Sequence, residues 1–96
     1  MKSISIKELE SKVHEGVNVL DVREVHEFHN GHIPSAKNLP LSNLQNTAPT
    51  LDKDEHYYVV CAMGGRSQRA SEYLSHLGYN VTTVNGGMTT WRGDIE

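Results

Sequence analysis

Cys61 is the only cysteine of the chain. It ends an apolar run, Tyr57-Tyr58-Val59-Val60, and is followed at once by Ala62-Met63-Gly64-Gly65-Arg66-Ser67. Residues of these types in this order suit nucleophilic sulfur chemistry. The thiolate is the attacking species, and a free cysteine, with a pKa near ~8.5, is mostly protonated at neutral pH; a helix N-terminus or a nearby cation brings it to roughly 3.5–7.5. Both influences are at hand here, in a helix predicted to begin near Ser67 and in Arg66, five residues after the thiol. The loop Ala62 to Ser67 offers six consecutive backbone N–H groups. Gly64 and Gly65 can take the left-handed dihedrals that turn several of them inward, making a cradle for negative charge on sulfur or on an atom bonded to it. The competing reading is a buried structural cysteine, since free cysteine is among the most buried residue types. A core position needs no anion-binding turn, so Gly-Gly-Arg-Ser favours the reactive thiol.

The elements that must position this loop follow from pattern. Ser3 to Ile6 alternates like a short strand. Ser5 with Glu8 makes a capping box, and Ile6, Leu9 and Val13 recur at helical spacing until Gly16. Val17 to Val22 is predicted as a buried strand. Glu24 to His29 is predicted as a brief helix with Val25 and Phe28 on one face, stopped by Gly31 and Pro34. Ala36 to Leu39 reads as a short strand, and Leu41 to Leu51 as one or two helical turns broken near Pro49. Tyr57 to Val60 is a strand with one tyrosine facing in and one out. Arg66 to Leu77 is a helix with Ala70, Tyr73, Leu74 and Leu77 inward, capped by Gly78. Val81 to Val84 is a strand, and Asn85-Gly86-Gly87 turns into a final helix carrying core residues Met88 and Trp91. Short apolar strands alternating with helices predict an α/β fold around a mostly parallel sheet. Ligand sites in such sheets lie beyond the carboxyl ends of the strands, where Cys61 falls.

Composition narrows the chemistry. Ninety-six residues suit one domain, spanning 1–96, with one modest core. An apolar content of 36% leaves no segment near the ~20 apolar residues of a membrane span. The N-terminus lacks the apolar stretch of a secretory signal, so a cytoplasmic location is expected. One cysteine forms no internal disulfide and no multi-cysteine zinc site. A net charge of −3 gives no general attraction to nucleic acid or to an anionic membrane. His26, His29 and His32 fall at three-residue spacing, but Gly31 breaks the helix before His32, so no metal site is expected. His32 is expected to make a structural hydrogen bond behind the loop. Asp21 and Arg23, at the carboxyl end of the preceding strand, either line the pocket or satisfy each other and nearby amides, and the structural role is favoured because a sheet edge must satisfy its polar groups.

Four segments resemble the rhodanese-like sulfurtransferase family. Cys61-Ala62-Met63-Gly64-Gly65-Arg66-Ser67 is similar to its active-site loop, Cys-x-x-Gly-x-Arg-Ser/Thr. Leu20-Asp21-Val22-Arg23-Glu24 resembles its strand ending in Asp-Val-Arg, with Glu27-Phe28 in the helix behind. Gly31-His32-Ile33-Pro34-Ser35-Ala36 resembles its Gly-His-Ile-Pro-Gly-Ala run, with Ser35 in place of the usual glycine. Gly78-Tyr79 to Val84, then Gly86-Gly87 and Trp91, resembles its last strand and Gly-Gly turn. Together they cover nearly the whole chain in the family's order.

The resemblance implies a sheet of about five strands with helices on both faces; the short stretch after Trp91 leads to the expectation that the domain works alone, without a tandem copy. It implies a persulfide cycle on Cys61, from a small anionic sulfur donor such as thiosulfate to cyanide, a cellular thiol or a sulfur-relay protein, with no metal or organic cofactor. The loop Ala62, Met63, Gly64, Gly65, Arg66 and Ser67 would hold the anion: Arg66 by binding the donor or by bonding loop carbonyls, Met63 as an apolar wall, Ser67 by capping the helix or donating to the sulfur. Asp21, Arg23 and His32 would support it. Two alternatives stand beside this one. Cysteine phosphatases and arsenate reductases use a Cys-x5-Arg loop, one residue longer than Cys61 to Arg66, and a smaller ring suits a single sulfur better than a tetrahedral phosphate. A rhodanese-like carrier or regulatory module would share the persulfide and differ only in its partner.

Overall fold

The computed structural model describes residues 1–96. Strands β1 (Lys2–Ser5), β2 (Asn18–Asp21), β3 (Lys37–Asn38), β4 (His56–Val60) and β5 (Asn80–Asn85) form one sheet in the order β1-β5-β4-β2-β3, with every neighbouring pair parallel. Helices α1 (Ile6–Lys12), α2 (Val25–His29), α3 (Leu44–Thr47) and α4 (Gly65–His76) alternate with the strands, and three-residue 3-10 turns cover Val13–Glu15, Leu41–Asn43, Ala48–Thr50 and Met88–Thr90.

Alternation along the strands divides the interior in two, because successive strand side chains point to opposite faces. Leu20, Tyr57, Val59, Cys61 and Val81 join Leu44, Ala48, Ala70 and Leu74 from α3, the turn after it and α4. Val19, Val60 and Val84 join Leu9 of α1 and Ile33, with Met88 and Trp91 half-buried against them. Helices therefore cover both faces, and Cys61 points to the α4 side. Tyr57 and Tyr58 do separate, but between two covered faces rather than between inside and water: Tyr57 belongs to the first core, and Tyr58 packs against the second.

The capping box forms as the sequence implies, with the Glu8 amide donating to Ser5 Oγ at 3.0 Å. At the end of α4, Gly78 takes φ +95; its amide donates to the Ser75 carbonyl and that of Tyr79 to the Leu74 carbonyl, each at 3.0 Å. This Schellman pairing satisfies two carbonyls the helix leaves open.

Four expectations are corrected. The inward face of α4 is Ser67, Ala70, Ser71 and Leu74, while Tyr73 and Leu77 are exposed. Ser67 and Ser71 occupy the close approach of α4 to β5. Val25 of α2 is 53% exposed, so this five-residue helix has no buried apolar face. The helical turn Ala48–Thr50 runs through Pro49, which sits in the first turn where its missing N–H costs nothing. The expected last helix is a single 3-10 turn, because Gly86 and Gly87 lead in at φ +85 and +147 and the amides of Met88 and Thr89 are drawn to carbonyls of another loop.

Candidate active site

β4 is flanked on both sides, by β5 and β2, so its backbone direction is held up to Val60. The amide of Val22, just past β2, donates to the Val60 carbonyl at 2.9 Å. The next two carbonyls are taken from the far side: Met88 N–H donates to Cys61 O at 2.9 Å and Thr89 N–H to Ala62 O at 3.1 Å, with Thr89 Oγ1 adding a bond to Ala62 O at 2.9 Å. Gly87 makes this latch possible. A Cβ there would lie 2.3 Å from Cys61 O and 2.6 Å from Ala62 O. With their carbonyls turned to the latch, the residues of the loop face their amides the other way.

Gly64, at φ +112, then starts α4. Its N–H donates to Cys61 Sγ at 3.0 Å. Of the two loop glycines it alone takes a left-handed φ. The Ser67 hydroxyl lies 3.4 Å from Sγ and 3.0 Å from the Gly64 carbonyl. As a thiol, Cys61 donates to Ser67 Oγ, and Ser67 donates to Gly64 O. As a thiolate, Cys61 accepts the Ser67 proton instead. Burial pushes the Cys61 thiol up, but the Ser67 hydroxyl and the amides of Ser67, Gly64 and Met63 together hold its pKa below that of an ordinary thiol. Of the six loop amides, that of Gly64 bonds the sulfur directly. The first turn of α4 carries no acidic residue, so the positive end of its dipole is not neutralised locally.

The thiol is not an exposed group. Cys61 is 1% accessible and packs among Val59, Ala70 and their neighbours on the α4 side. It forms the floor of an open cavity of about 440 Å³, whose walls are Ala62, Met63, Gly65, Arg66 and Arg69. Met63 stands at the rim, 78% exposed. A larger cavity of about 780 Å³, between Lys7, His14, Trp91 and Arg92, holds no thiol.

Arg66 bonds no loop carbonyl. Its two terminal nitrogens donate to the Glu27 carboxylate at 2.6 and 2.9 Å, bracing α4 against α2. The Arg66 hydrogen bonds pull the Glu27 carboxyl down from 4.5 to about 2. Arg23 is buried and bonds the fully buried Asp21 through Nε and Nη2, the shortest contact being 2.7 Å, while its Nη2 also donates to the Gly31 carbonyl at 2.8 Å. Asp21 also accepts the Arg23 amide at 3.0 Å. The pair lies behind the site, tying the end of β2 to the Gly31 turn, and lines no part of the Cys61 cavity. His32 stacks on Phe28 at 3.7 Å between ring centroids, and its Nδ1 bonds the Phe28 carbonyl at 2.9 Å. His26, His29 and His32 do not converge with one another or with carboxylates into a metal-holding group.

Contacts not foreseen from the sequence are those made by residues far apart in it. Asn38 Nδ2 donates to the carbonyls of Asp21 and Arg23, both at 2.9 Å, closing the end of β2. Thr89 latches the loop, Glu27 occupies Arg66, and Arg69 reaches the cavity wall one helical turn after Arg66. The i, i+3 spacing of the two arginines was a visible signal.

Comparison with known proteins identifies the family. Residues 5–94 match the family described as rhodanese-like domain. The putative sulfurtransferase YtwF of Bacillus subtilis is 35% identical over 98 residues, covering 100% of this chain and 95% of that protein. The thiosulfate sulfurtransferase GlpE of Shewanella oneidensis is 35% identical over 92 residues, covering 94% and 91%. The crystal structure of a rhodanese-like domain protein from Staphylococcus aureus superposes with a TM-score of 0.92 at 39% identity, over 100% of this chain and 97% of that one.

Proposed function

The chain belongs to the rhodanese-like domain family, a sulfurtransferase kind by its relatives, and from that premise we propose that it moves a sulfane sulfur from thiosulfate to a thiophilic acceptor through a persulfide on Cys61. In the first half-reaction the Cys61 thiolate attacks the outer sulfur of thiosulfate. A bond forms between Sγ and that sulfur, the sulfur–sulfur bond of the donor breaks, and its electron pair leaves with sulfite. In the second, cyanide or a thiolate attacks the outer sulfur and Cys61 departs as thiolate. Neither half needs a metal or an external oxidant, and two half-reactions through a covalent enzyme predict ping-pong kinetics.

The observation that carries this reading is the Gly64 N–H at 3.0 Å from Sγ, joined by a Ser67 hydroxyl that can reverse its proton. These donors favour an anionic sulfur both before attack and when Cys61 is the leaving group. Arg66 serves as a brace for the loop, through Glu27. Ser67 serves the sulfur, and Met63 walls the cavity. Asp21, Arg23 and His32 hold the backbone from behind.

The test is the intact mass of the protein after incubation with thiosulfate, before and after a reductant. The wild type gains one sulfur, reversibly, and Cys61→Ser gains none. No gain in the wild type, or substantial thiosulfate:cyanide activity in Cys61→Ser, overturns the mechanism. Hydrolysis of an aryl phosphate without sulfur uptake points to the phosphatase class instead. A loaded protein that gives its sulfur to a protein acceptor but not to cyanide is a carrier.

A further inference from the structure

Two arginines border the Cys61 cavity, and their electrostatic situations differ. Arg66 is closed by a bidentate bond to Glu27 at 2.6 and 2.9 Å. Glu27 stays ionised through the physiological range, its carboxyl held at about 2, so the pair presents no net charge to the cavity. Arg23, the other cation near this end of the sheet, is spent on Asp21 and the Gly31 carbonyl. Arg69 follows Arg66 by three residues on α4, which places it on the same side of the helix. Its side chain makes no hydrogen bond, and none of the three ion pairs of the protein includes it. Glu72, the carboxylate three residues further along, accepts from Gln68 Nε2 at 3.4 Å instead.

We propose that Arg69, rather than Arg66, is the side chain that recognises an anionic group entering the Cys61 cavity, and that Glu27 sets this assignment by neutralising Arg66. The sulfurtransferase reading supplies the identity of the anion, the sulfonate end of a donor such as thiosulfate. The chemical requirement is general: the donor's outer sulfur must meet Sγ at the floor while its negative oxygens stay near the mouth, where Arg69 stands free on the wall. A guanidinium suits that task because its planar fork bonds oxyanions in pairs. Glu27 then acts as a specificity-determining residue, limiting the cavity to one uncompensated cation.

The experiment compares alkylation of Cys61 by iodoacetate, which is anionic, with alkylation by iodoacetamide, which is neutral, in the full chain. Both consume the same thiolate, so the ratio of the two rates cancels changes in ionisation and in access to the sulfur, and reports the charge at the mouth. Arg69→Gln lowers the ratio by roughly fivefold, the scale of one exposed charge contact. Arg69→Lys retains it. Glu27→Gln, which releases Arg66, raises it. The thiosulfate concentration giving half-maximal sulfur loading rises in Arg69→Gln by a factor similar to the fall in the ratio. A ratio within twofold of wild type in Arg69→Gln overturns the proposal, as does an equal fall in Arg69→Lys, an unchanged ratio in Glu27→Gln, or unchanged half-loading in Arg69→Gln. Failure of the wild type to take up sulfur would end the sulfurtransferase reading on its own, and the alkylation ratio would still decide the role of Arg69.

Discussion

Replacing Gly87 by alanine tests whether the loop around Cys61 is held in place from the last turn of the chain. Gly87 has φ +147 and ψ −160, a region of backbone space that is nearly glycine-only and costs about 1–3 kcal/mol for other residues. The added Cβ would lie 2.3 Å from Cys61 O, 2.6 Å from Ala62 O and 2.7 Å from the Ala62 carbonyl carbon. All three are backbone atoms, so no side chain can swing aside. Relief requires the turn to move away from β4, which stretches the Met88-to-Cys61 and Thr89-to-Ala62 bonds of 2.9 and 3.1 Å. Losing them costs about 1 kcal/mol each. Against this, alanine restricts the unfolded chain and returns about 0.4–1 kcal/mol. The net loss is about 3 kcal/mol, a large part of the ~5–15 kcal/mol of a small domain. At roughly 4–8 °C per kcal/mol for this size, Tm falls by about 12–24 °C. Urea unfolding followed by the fluorescence of Trp91, the only tryptophan and a half-buried neighbour of the turn, measures the loss. Sulfur loading of the folded fraction measures the effect on the site, and falls with it. Gly65→Ala is the control, since a Cβ at Gly65 meets nothing within 4 Å and opens α4 without a left-handed φ. A Gly87→Ala protein within about 0.5 kcal/mol of the parent, or one no less stable than Gly65→Ala, would refute the latch.

Ser35 is the only non-glycine residue with positive φ, at +71. Ser35→Gly removes about 1–2 kcal/mol of left-handed strain and costs about 0.5–1 kcal/mol in backbone entropy, so urea unfolding should show a modest gain in stability. Glu27 titrates at about 2 in the folded protein against 4.5 unperturbed, so its contribution is fully present above about 4.5 and lost as pH falls through about 2. Glu27→Gln should therefore destabilise by about 1 kcal/mol near neutral pH, after allowance for solvent screening, with the two stability curves converging in strong acid. The Cys61 thiol ionises below an ordinary thiol because donors outweigh burial. Its contribution to stability is fully present above the pKa of an ordinary thiol and lost as pH falls through the lower folded pKa, and its iodoacetamide profile has a midpoint below that of an ordinary thiol. Ser67→Ala moves that midpoint upward, and a midpoint unmoved or lowered would show that the hydroxyl does not act on the sulfur.

Local chemistry in the sequence located most of the elements. The Ser5–Glu8 box starts α1, Gly78 ends α4, and the apolar run before Cys61 is β4, because each depends on residues a few positions apart. Burial was legible where the apolar period was clean and misleading where it was not. Tyr73 and Leu77 fit a helical stripe, yet close packing of α4 on β5 selects the small side chains Ser67, Ala70 and Ser71 for its inner face. Met88 and Trp91, three apart, fit a helix or a single 3-10 turn equally, and the demand of the Cys61 and Ala62 carbonyls for donors decides the matter. Cys61 stood out as a candidate nucleophile by its neighbours. Its near-complete burial did not, since that depends on α4 closing over the face to which β4 turns it. The partnership of Arg66 with Glu27 joins residues 39 apart, and no spacing in the chain announces which carboxylate an arginine will meet.

The latch also gives the protein a schedule. Translation delivers Cys61 before β5 and before Met88 and Thr89, whose amides hold the two carbonyls at the start of the loop. A growing chain that has reached only α4 lacks both of these donors. The loop around the sulfur is therefore fully braced only when the final strand has docked and its following turn has closed.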